Sequence, residues 1–217
     1  MIKIKQIEIR KNEKKPFKWS LHERLNVVCG ERRSKLLGRI ALAVQNPDNF
    51  TIGVDILSCG EDGYVEEIAA HLNNGKTLRY DNSGSSIGDD YWEIGDTLNS
   101  GYFSPDLLLF SNSGLETLHE CAEAEGIYST DAEYLPFDKK IELIVDSITK
   151  NSNIVILDTP DLGQNPEKNV ALLDHLLELA PDSQFIIATE SNEIIRNIKP
   201  GFEFINLDEN DYEELQT

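Results

Sequence analysis

Two short stretches hold side chains that could do phosphate chemistry. Gly30-Glu31-Arg32-Arg33-Ser34-Lys35 sets three cations and a hydroxyl just after a glycine, at the start of an apolar-periodic segment. Further on, the apolar run Ile154-Val155-Ile156-Leu157 ends on Asp158. A helix N-terminus collects unpaired N–H groups that favour an anion, and cations beside it add to that preference. A carboxylate at the carboxyl end of a buried strand lies where open α/β sheets place their ligands. A nucleotide site would need both stretches: N–H groups and a Lys on the phosphates, a hydroxyl and the strand-end Asp on Mg²⁺.

The spacing falls short of that chemistry. A loop that wraps phosphates follows G-x-x-x-x-G-K-[ST], and the second glycine is missing here. Aligned on the helix residues Leu36, Leu37 and Ile40, Arg33 takes the Lys place and Ser34 the hydroxyl place, with the loop about three residues short. Aligned on Gly30, Lys35 comes one place early, and Glu31 brings a repelling charge in either case. Gly30, Arg32, Arg33, Ser34 and Lys35 are therefore the nucleotide- or anion-binding candidates. The plainer reading is a basic turn that meets an acidic neighbour. Asp158, with Asp161 nearby, is the metal candidate. A lone carboxylate is a poor Mg²⁺ site without substrate phosphates, and its alternative role is to hydrogen-bond the adjoining loop.

A third pattern, Gly84-Ser85-Ser86-Ile87-Gly88, matches the G-x-S-x-G nucleophile elbow of a serine hydrolase. That motif needs a buried strand before it and a helix directly after. The preceding LRYDNS is too polar for such a strand and Asp89-Asp90 follow, so a Ser/Gly/Asp loop is the better reading. His119 and His175 stand later in the chain without a triad pattern, and His22 and His71 read as surface residues.

The elements that must position these residues follow from periodicity. Ile2–Arg10 alternates as a half-exposed strand, Phe17–Leu21 returns against it, and Leu25–Cys29 is a short buried strand. Leu36, Leu37, Ile40, Ala41 and Val44 recur at helical spacing, which predicts a helix from near Ser34. Asn153–Glu190 reads as strand, amphipathic helix and strand, the mark of parallel strands in an α/β sheet. Within that helix Leu172, Leu173, Leu176, Leu177 and Leu179 form a stripe suited to packing on the sheet. A short helix over Asn192–Ile198 and a last strand over Phe202–Leu207 precede an acidic tail, Asp208–Thr217, expected to fray.

The middle of the chain is less legible. Thr51–Leu57 resembles a strand, and Val65, Ile68, Ala69 and Leu72 have helical spacing with Gly75 as a C-terminal cap. A hairpin through Asn74-Gly75 competes with that helix. Thr77–Tyr80 and Leu107–Phe110 read as strands, and Tyr91–Leu98, Leu115–Glu125 and Phe137–Lys150 as helices.

With 217 residues the chain suits one large domain, residues 1–217, with a poorly matched middle section over 51–135. No apolar run approaches the length of a membrane-spanning helix, and the N-terminus lacks the apolar core of a secretory signal. Three widely spaced cysteines, Cys29, Cys59 and Cys121, fit inert thiols in a reducing cytoplasm better than a disulfide framework or a zinc site. The net charge of −19 is unevenly spread. Residues 1–40 carry twelve Lys and Arg against four Asp and Glu, a net of +8; the remainder carries eight against 35, a net of −27. Such asymmetry suggests a charged partner or association of unlike faces, with two ordinary solvated faces as the alternative. It disfavours direct nucleic-acid binding, because a phosphate backbone would meet mostly negative potential.

In order and content these parts resemble the ATPase heads of the ABC superfamily. The likeness is to the branch that includes chromosome-maintenance and recombination ATPases and OLD-type phage-defence ATPases. The N-terminal strand pair, LNVVCG and SKLLGRIALAV look like that family's opening. IVILDTPD, the helix within NPEKNVALLDHLLELAPDS, and QFIIATES look like its closing block. The likeness covers Met1–Val44 and Phe137–Glu209. It implies an α/β, P-loop NTPase-like sheet with flanking helices and an N-terminal antiparallel strand pair. In that family Asp158 would be the Walker-B Mg²⁺ ligand, followed by a catalytic Glu and, after the next strand, by a switch His. This chain has Thr159 and Glu190 at those places. Thr159 cannot act as a general base at neutral pH. The family's glycine-containing signature would precede the Phe137–Lys150 helix, where Leu135-Pro136-Phe137-Asp138-Lys139 stands instead. Four departures together lead to the expectation of a degenerate pseudo-ATPase with no catalytic residue. Its role would be that of a scaffold or regulator in a phage-defence or DNA-transaction system. Its partner would be an active ATPase or nuclease subunit, or a second copy. No cofactor is then required. The alternative is a residual nucleotide-binding protein or slow NTPase that still takes ATP and Mg²⁺.

Overall fold

The computed structural model describes residues 1–10, 15–44, 67–81, 100–103, 108–111, 114–117, 136, 139, 153–158, 166–197 and 201–209. Two sheets face one another across a helix. The first is antiparallel, in the order β2-β1-β4-β5, from β1 (Ile4–Arg10), β2 (Phe17–Ser20), β4 (Glu67–Leu72) and β5 (Thr77–Asp81). The second, among the described residues, has seven strands. Its parallel part runs β11 (Glu203–Asn206), β3 (Leu25–Cys29), β10 (Gln184–Ala188), β9 (Ile154–Asp158) and β6 (Ser100–Phe103). The antiparallel strands β7 (Leu108–Ser111) and β8 (Gly114–Thr117) extend it beyond β6.

Helix α1 (Arg33–Val44) lies between the sheets. Leu36, Leu37, Ile40, Ala41, Ala43 and Val44 are all buried, in one cluster with Ile4, Ile7, Ile9 and Trp19 of the first sheet and Ile154, Ile156 and Ile186 of the second. The strands that flank the site follow from their composition. β9 and β10 are buried at every position, so both faces are covered and the alternation of a half-exposed strand is absent. Helix α2 (Pro166–Leu179) joins them and buries Leu173 and Leu176, two members of the expected leucine stripe. Arg24 closes the end of α2 and the turn after it: its guanidinium donates to Leu177 O, to Ala180 O at 2.7 Å and to Ser183 O at 3.3 Å. Helix α3 (Asn192–Arg196) follows β10, and a 3₁₀ turn (Leu207–Glu209) follows β11.

A buried glutamine fastens the two sheets. Gln184, at the start of β10, accepts from Ile4 N–H at 2.8 Å and donates to Ile4 O and His22 O, each at 2.8 Å. This satisfies Ile4 next to the register shift between Ile4 and Gln6.

Two expectations for the middle are corrected. Residues 67–72 form strand β4 and not a helix. The strand pairs with β1 and turns into β5 through Asn73-Asn74-Gly75, so the competing hairpin is what forms. Ile68, Ala70 and Leu72 are all buried, an alternation that the helical spacing of Ile68, Ala69 and Leu72 masks. Residues 115–117 belong to strand β8 rather than to a helix. Strand β6 has no counterpart in the sequence reading. The readings over 51–57, 82–90, 91–98, 118–125 and 137–150 fall outside the described residues, apart from residue 139, which is helical.

The outer face of the first sheet holds a buried charge. Glu8 is 6% exposed, and its carboxylate meets Arg10 Nε at 2.6 Å and Lys18 Nζ at 3.0 Å. Burial by itself raises its pKa, but the hydrogen bonds from Lys18 and Arg10 outweigh that and hold it below the usual carboxylate range. A depressed folded-state pKa gives stability that is present above the unfolded value and lost as pH falls through the folded one. In denaturant melts taken between about pH 5 and pH 3, Glu8→Gln should therefore lose less stability on acidification than the parent chain. Equal slopes would show that Glu8 contributes nothing to acid sensitivity.

Candidate functional site

The parallel strands of the second sheet, β3, β9, β10 and β11 among them, bring their carboxyl ends to one edge. Asp158 of β9 and Val28 of β3 both lie opposite Ala188 of β10, and Asn206 of β11 lies opposite Cys29. The segments at these strand ends therefore converge: Gly30 to Ser34 after β3, the end of β9 itself, Thr189 to Ser191 after β10, and Leu207-Asp208 after β11. This is the crevice in which open α/β sheets hold ligands.

The connection from β3 to α1 consists of Gly30, Glu31 and Arg32. Gly30 has φ 97° and Arg32 has φ 65°, both in the left-handed region. Only glycine enters that region without steric cost, so the turn is tight and strained at Arg32. Arg32 O accepts Leu36 N–H at 3.1 Å, which starts the helix. A β-carbon on Gly30 would lie 2.7 Å from Asp208 Oδ1 and 3.1 Å from Asn206 Oδ1. The close approach serves the turn: Glu31 N–H donates to Asp208 Oδ1 at 2.7 Å, and Asp208 N–H in turn donates to Asn206 Oδ1 at 3.2 Å.

Arg33 is 17% exposed in its side chain and forms an ion pair with Glu190, whose side chain is 65% exposed. Its second terminal nitrogen donates to Gly30 O at 3.1 Å, while Nε is buried without a hydrogen-bond partner. The backbone around Glu190 is held by its neighbours. Thr189 N–H donates to Val28 O at 3.0 Å, Ser191 N–H donates to Thr189 Oγ1 at 2.9 Å, and Ser191 Oγ caps α3 by accepting Ile194 N–H. Ser34 donates from Oγ to Asp158 Oδ1 at 2.8 Å, and Asp158 is 3% exposed.

The structure thus brings Gly30, Arg33 and Ser34 together with Asp158. Arg32 is exposed, and Lys35 is half-buried in the first turn of α1. Among the described residues no group of three His, Cys, Asp or Glu side chains is placed to hold a metal ion. Arg33, Ser34 and Asp158 are the residues that would hold a phosphate, a bridging hydroxyl contact and Mg²⁺. The hydroxyl–carboxylate pair suits a shared cation, but the tight turn offers only a short backbone arc to phosphates. Ser86 and its flanking glycines, Thr159, Asp161 and His119 lie outside the described residues, and His175 is exposed on α2. Cys29, expected as a buried thiol, is half-buried and in no disulfide.

Sequence reasoning misses Asp208 altogether. The acidic tail is expected to fray from that residue, whereas residues 207–209 form a 3₁₀ turn that reaches the loop. Asn206, two residues before it, is the only local signal: an Asx side chain that accepts the N–H two positions on.

No family model and no curated protein matches the chain. Solved structures do. An SMC head bound to the C-winged helix domain of ScpA superposes with TM-score 0.51 and 9% identity, over 94% of both chains. A nucleotide-free ATP-binding cassette from an ABC transporter gives 0.49 and 10%, over 90% of this chain and 85% of that one. A putative ABC transporter ATP-binding protein from Pyrococcus furiosus gives 0.47 and 12%, over 94% and 98%. At such identity the likeness to the SMC head shows the fold alone: the chain has the α/β fold of an ABC-superfamily ATPase head, with its parallel sheet and antiparallel strand pair.

Gly30→Ala places a β-carbon in the left-handed region and against Asp208, and should cost on the order of 1–3 kcal/mol in denaturant unfolding. An unchanged midpoint would mean that the turn relaxes freely.

Proposed function

We propose that the chain is a degenerate ATPase head, a pseudo-ATPase that works as a scaffold or regulator through protein–protein contacts. One observation carries this reading: only Gly30, Glu31 and Arg32 separate β3 from α1. A phosphate-wrapping loop needs a longer run of N–H groups, with a glycine next to the Lys so that backbone can close on the phosphates. Here the Lys place holds Arg33 and the cation is engaged by Glu190. Thr159 and Glu190 at the catalytic and switch places point the same way.

A protein partner suits a head that has kept its fold and not its chemistry. The structurally similar SMC head is itself bound to a winged-helix domain. A partner here would be an active ATPase or nuclease subunit, or a second copy, in a cytoplasmic phage-defence or DNA-transaction system. No helix among the described residues is long and apolar enough to cross a membrane.

The second reading, residual nucleotide binding, is favoured by the 2.8 Å contact between Ser34 and Asp158, which places a hydroxyl and a carboxylate as a Mg²⁺ site would. Calorimetric titration with ATP and Mg²⁺ separates the two. The pseudo-ATPase reading expects no saturable heat. Saturable binding that Arg33→Ala or Asp158→Asn removes would overturn it and establish the second.

A further inference from the structure

We propose that Glu190 and Asp208 are built-in anions that hold the β3–α1 connection in the shape a bound phosphate would otherwise impose. The head would then keep this turn formed with no ligand present. The inference rests on the pseudo-ATPase reading and says how such a head dispenses with its nucleotide.

Two separate elements supply the carboxylates. Glu190 comes from the turn after β10 and forms an ion pair with the Arg33 guanidinium; Asp208 comes from the 3₁₀ turn after β11 and accepts the Glu31 N–H at 2.7 Å. A backbone N–H and a guanidinium at the start of a helix are the groups an oxyanion binds, and charge-assisted hydrogen bonds of this kind are the strong ones. Here both are met by carboxylate oxygens of the same chain. The turn needs holding, because Arg32 sits at φ 65°, where a β-carbon is disfavoured. Each carboxylate is itself fixed from behind. Thr189 and Ser191 anchor the backbone on either side of Glu190, and Asn206 Oδ1 accepts Asp208 N–H at 3.2 Å. Gly30 leaves the space that Asp208 fills, since a β-carbon there would come within 2.7 Å of Asp208 Oδ1. An anion tethered on the chain is present at high effective concentration, so free phosphate competes poorly with it. The three carboxylates around this crevice, Asp158, Glu190 and Asp208, also repel a polyanion electrostatically.

Thermal melting of the full chain tests this, comparing the parent with Glu190→Gln and with Glu190→Gln/Asp208→Asn. Each is measured with inorganic phosphate and with chloride at matched ionic strength. Neutralising each anion turns a charge-assisted hydrogen bond into a neutral one and should lower the melting temperature by about 2–4 °C for each kcal/mol lost. Phosphate, relative to chloride, should raise the melting temperature of the double variant and leave that of the parent unchanged. Adding Arg33→Gln to the double variant should abolish the phosphate effect. Variants that melt with the parent would overturn the proposal. So would phosphate raising all of them equally, which is its general salting effect. Should the double variant fail to fold, Glu190→Gln carries the same comparison, because that side chain is largely exposed and its loss leaves no buried gap. The two readings fail separately. Saturable Mg-ATP binding by the parent removes the pseudo-ATPase reading. A parent that binds none, with variants insensitive to phosphate, removes only the built-in anions.

Discussion

Helix α1 has nowhere else to go. Leu36, Leu37, Ile40, Ala41, Ala43 and Val44 are buried against strands of two different sheets, which keeps it from sliding. Advancing it by one turn would move every contact about 5.4 Å along its axis and bring Arg39 to the buried place of Ala43. The position of Arg33, its first residue, is therefore set by packing, and the connection from Cys29 must fit whatever gap is left. That gap takes three residues, of which Gly30 and Arg32 are left-handed. A G-x-x-x-x-G-K-[ST] loop could not be made by substitution within it. Extra residues would have to be inserted and would have to bulge into the crevice, where Asp208 and Glu190 now stand.

Much of this is legible in the sequence because its physics is local. Buried parallel strands read as continuous apolar runs, and β9 and β10 with α2 between them can be placed from sequence to within a residue or two. The strand pair β1–β2 and the start of α1 are equally plain, as is the shortness of the loop. The middle is not. In Glu67–Leu72 the alternating buried positions are Ile68, Ala70 and Leu72, but Ala69 is apolar as well and is covered on the outer face beside Glu8. An apolar residue on both faces erases the alternation, and only pairing with β1 decides the matter. Strand β6, with Ser100 and Gly101, has little propensity of its own; it forms between β9 and β7 because the sheet completes it.

The site divides along the same line. Gly30, Arg33, Ser34 and Asp158 are visible because each belongs to a motif position with a chemical reason. Glu190 is visible only as a missing histidine, and its bond to Arg33 spans 157 residues. Asp208 is invisible, since an acidic residue near a charged tail has no local mark of being fixed. Long-range contacts of polar side chains depend on strand order, and strand order is what a single sequence states least well.

The same contacts bear on the charge asymmetry. Several cations of the basic first forty residues are engaged within the fold. Arg24 closes the end of α2 and the turn after it, Arg33 meets Glu190, and Arg10 and Lys18 share Glu8. Two of these three arrangements join the basic N-terminal part to the closing block of the chain. Of these, only Arg33–Glu190 is an ion pair between the opening and closing blocks; Arg24 meets neutral carbonyls, and Arg10 and Lys18 pair within the first forty residues. Among the described residues of the closing block, the exposed charge is mainly acidic: Asp174, Glu178, Asp182, Glu190, Glu203 and Asp208 all reach solvent, against Arg196. A duplex backbone brought to that side would meet repulsion, and steering by net charge would favour a basic surface instead.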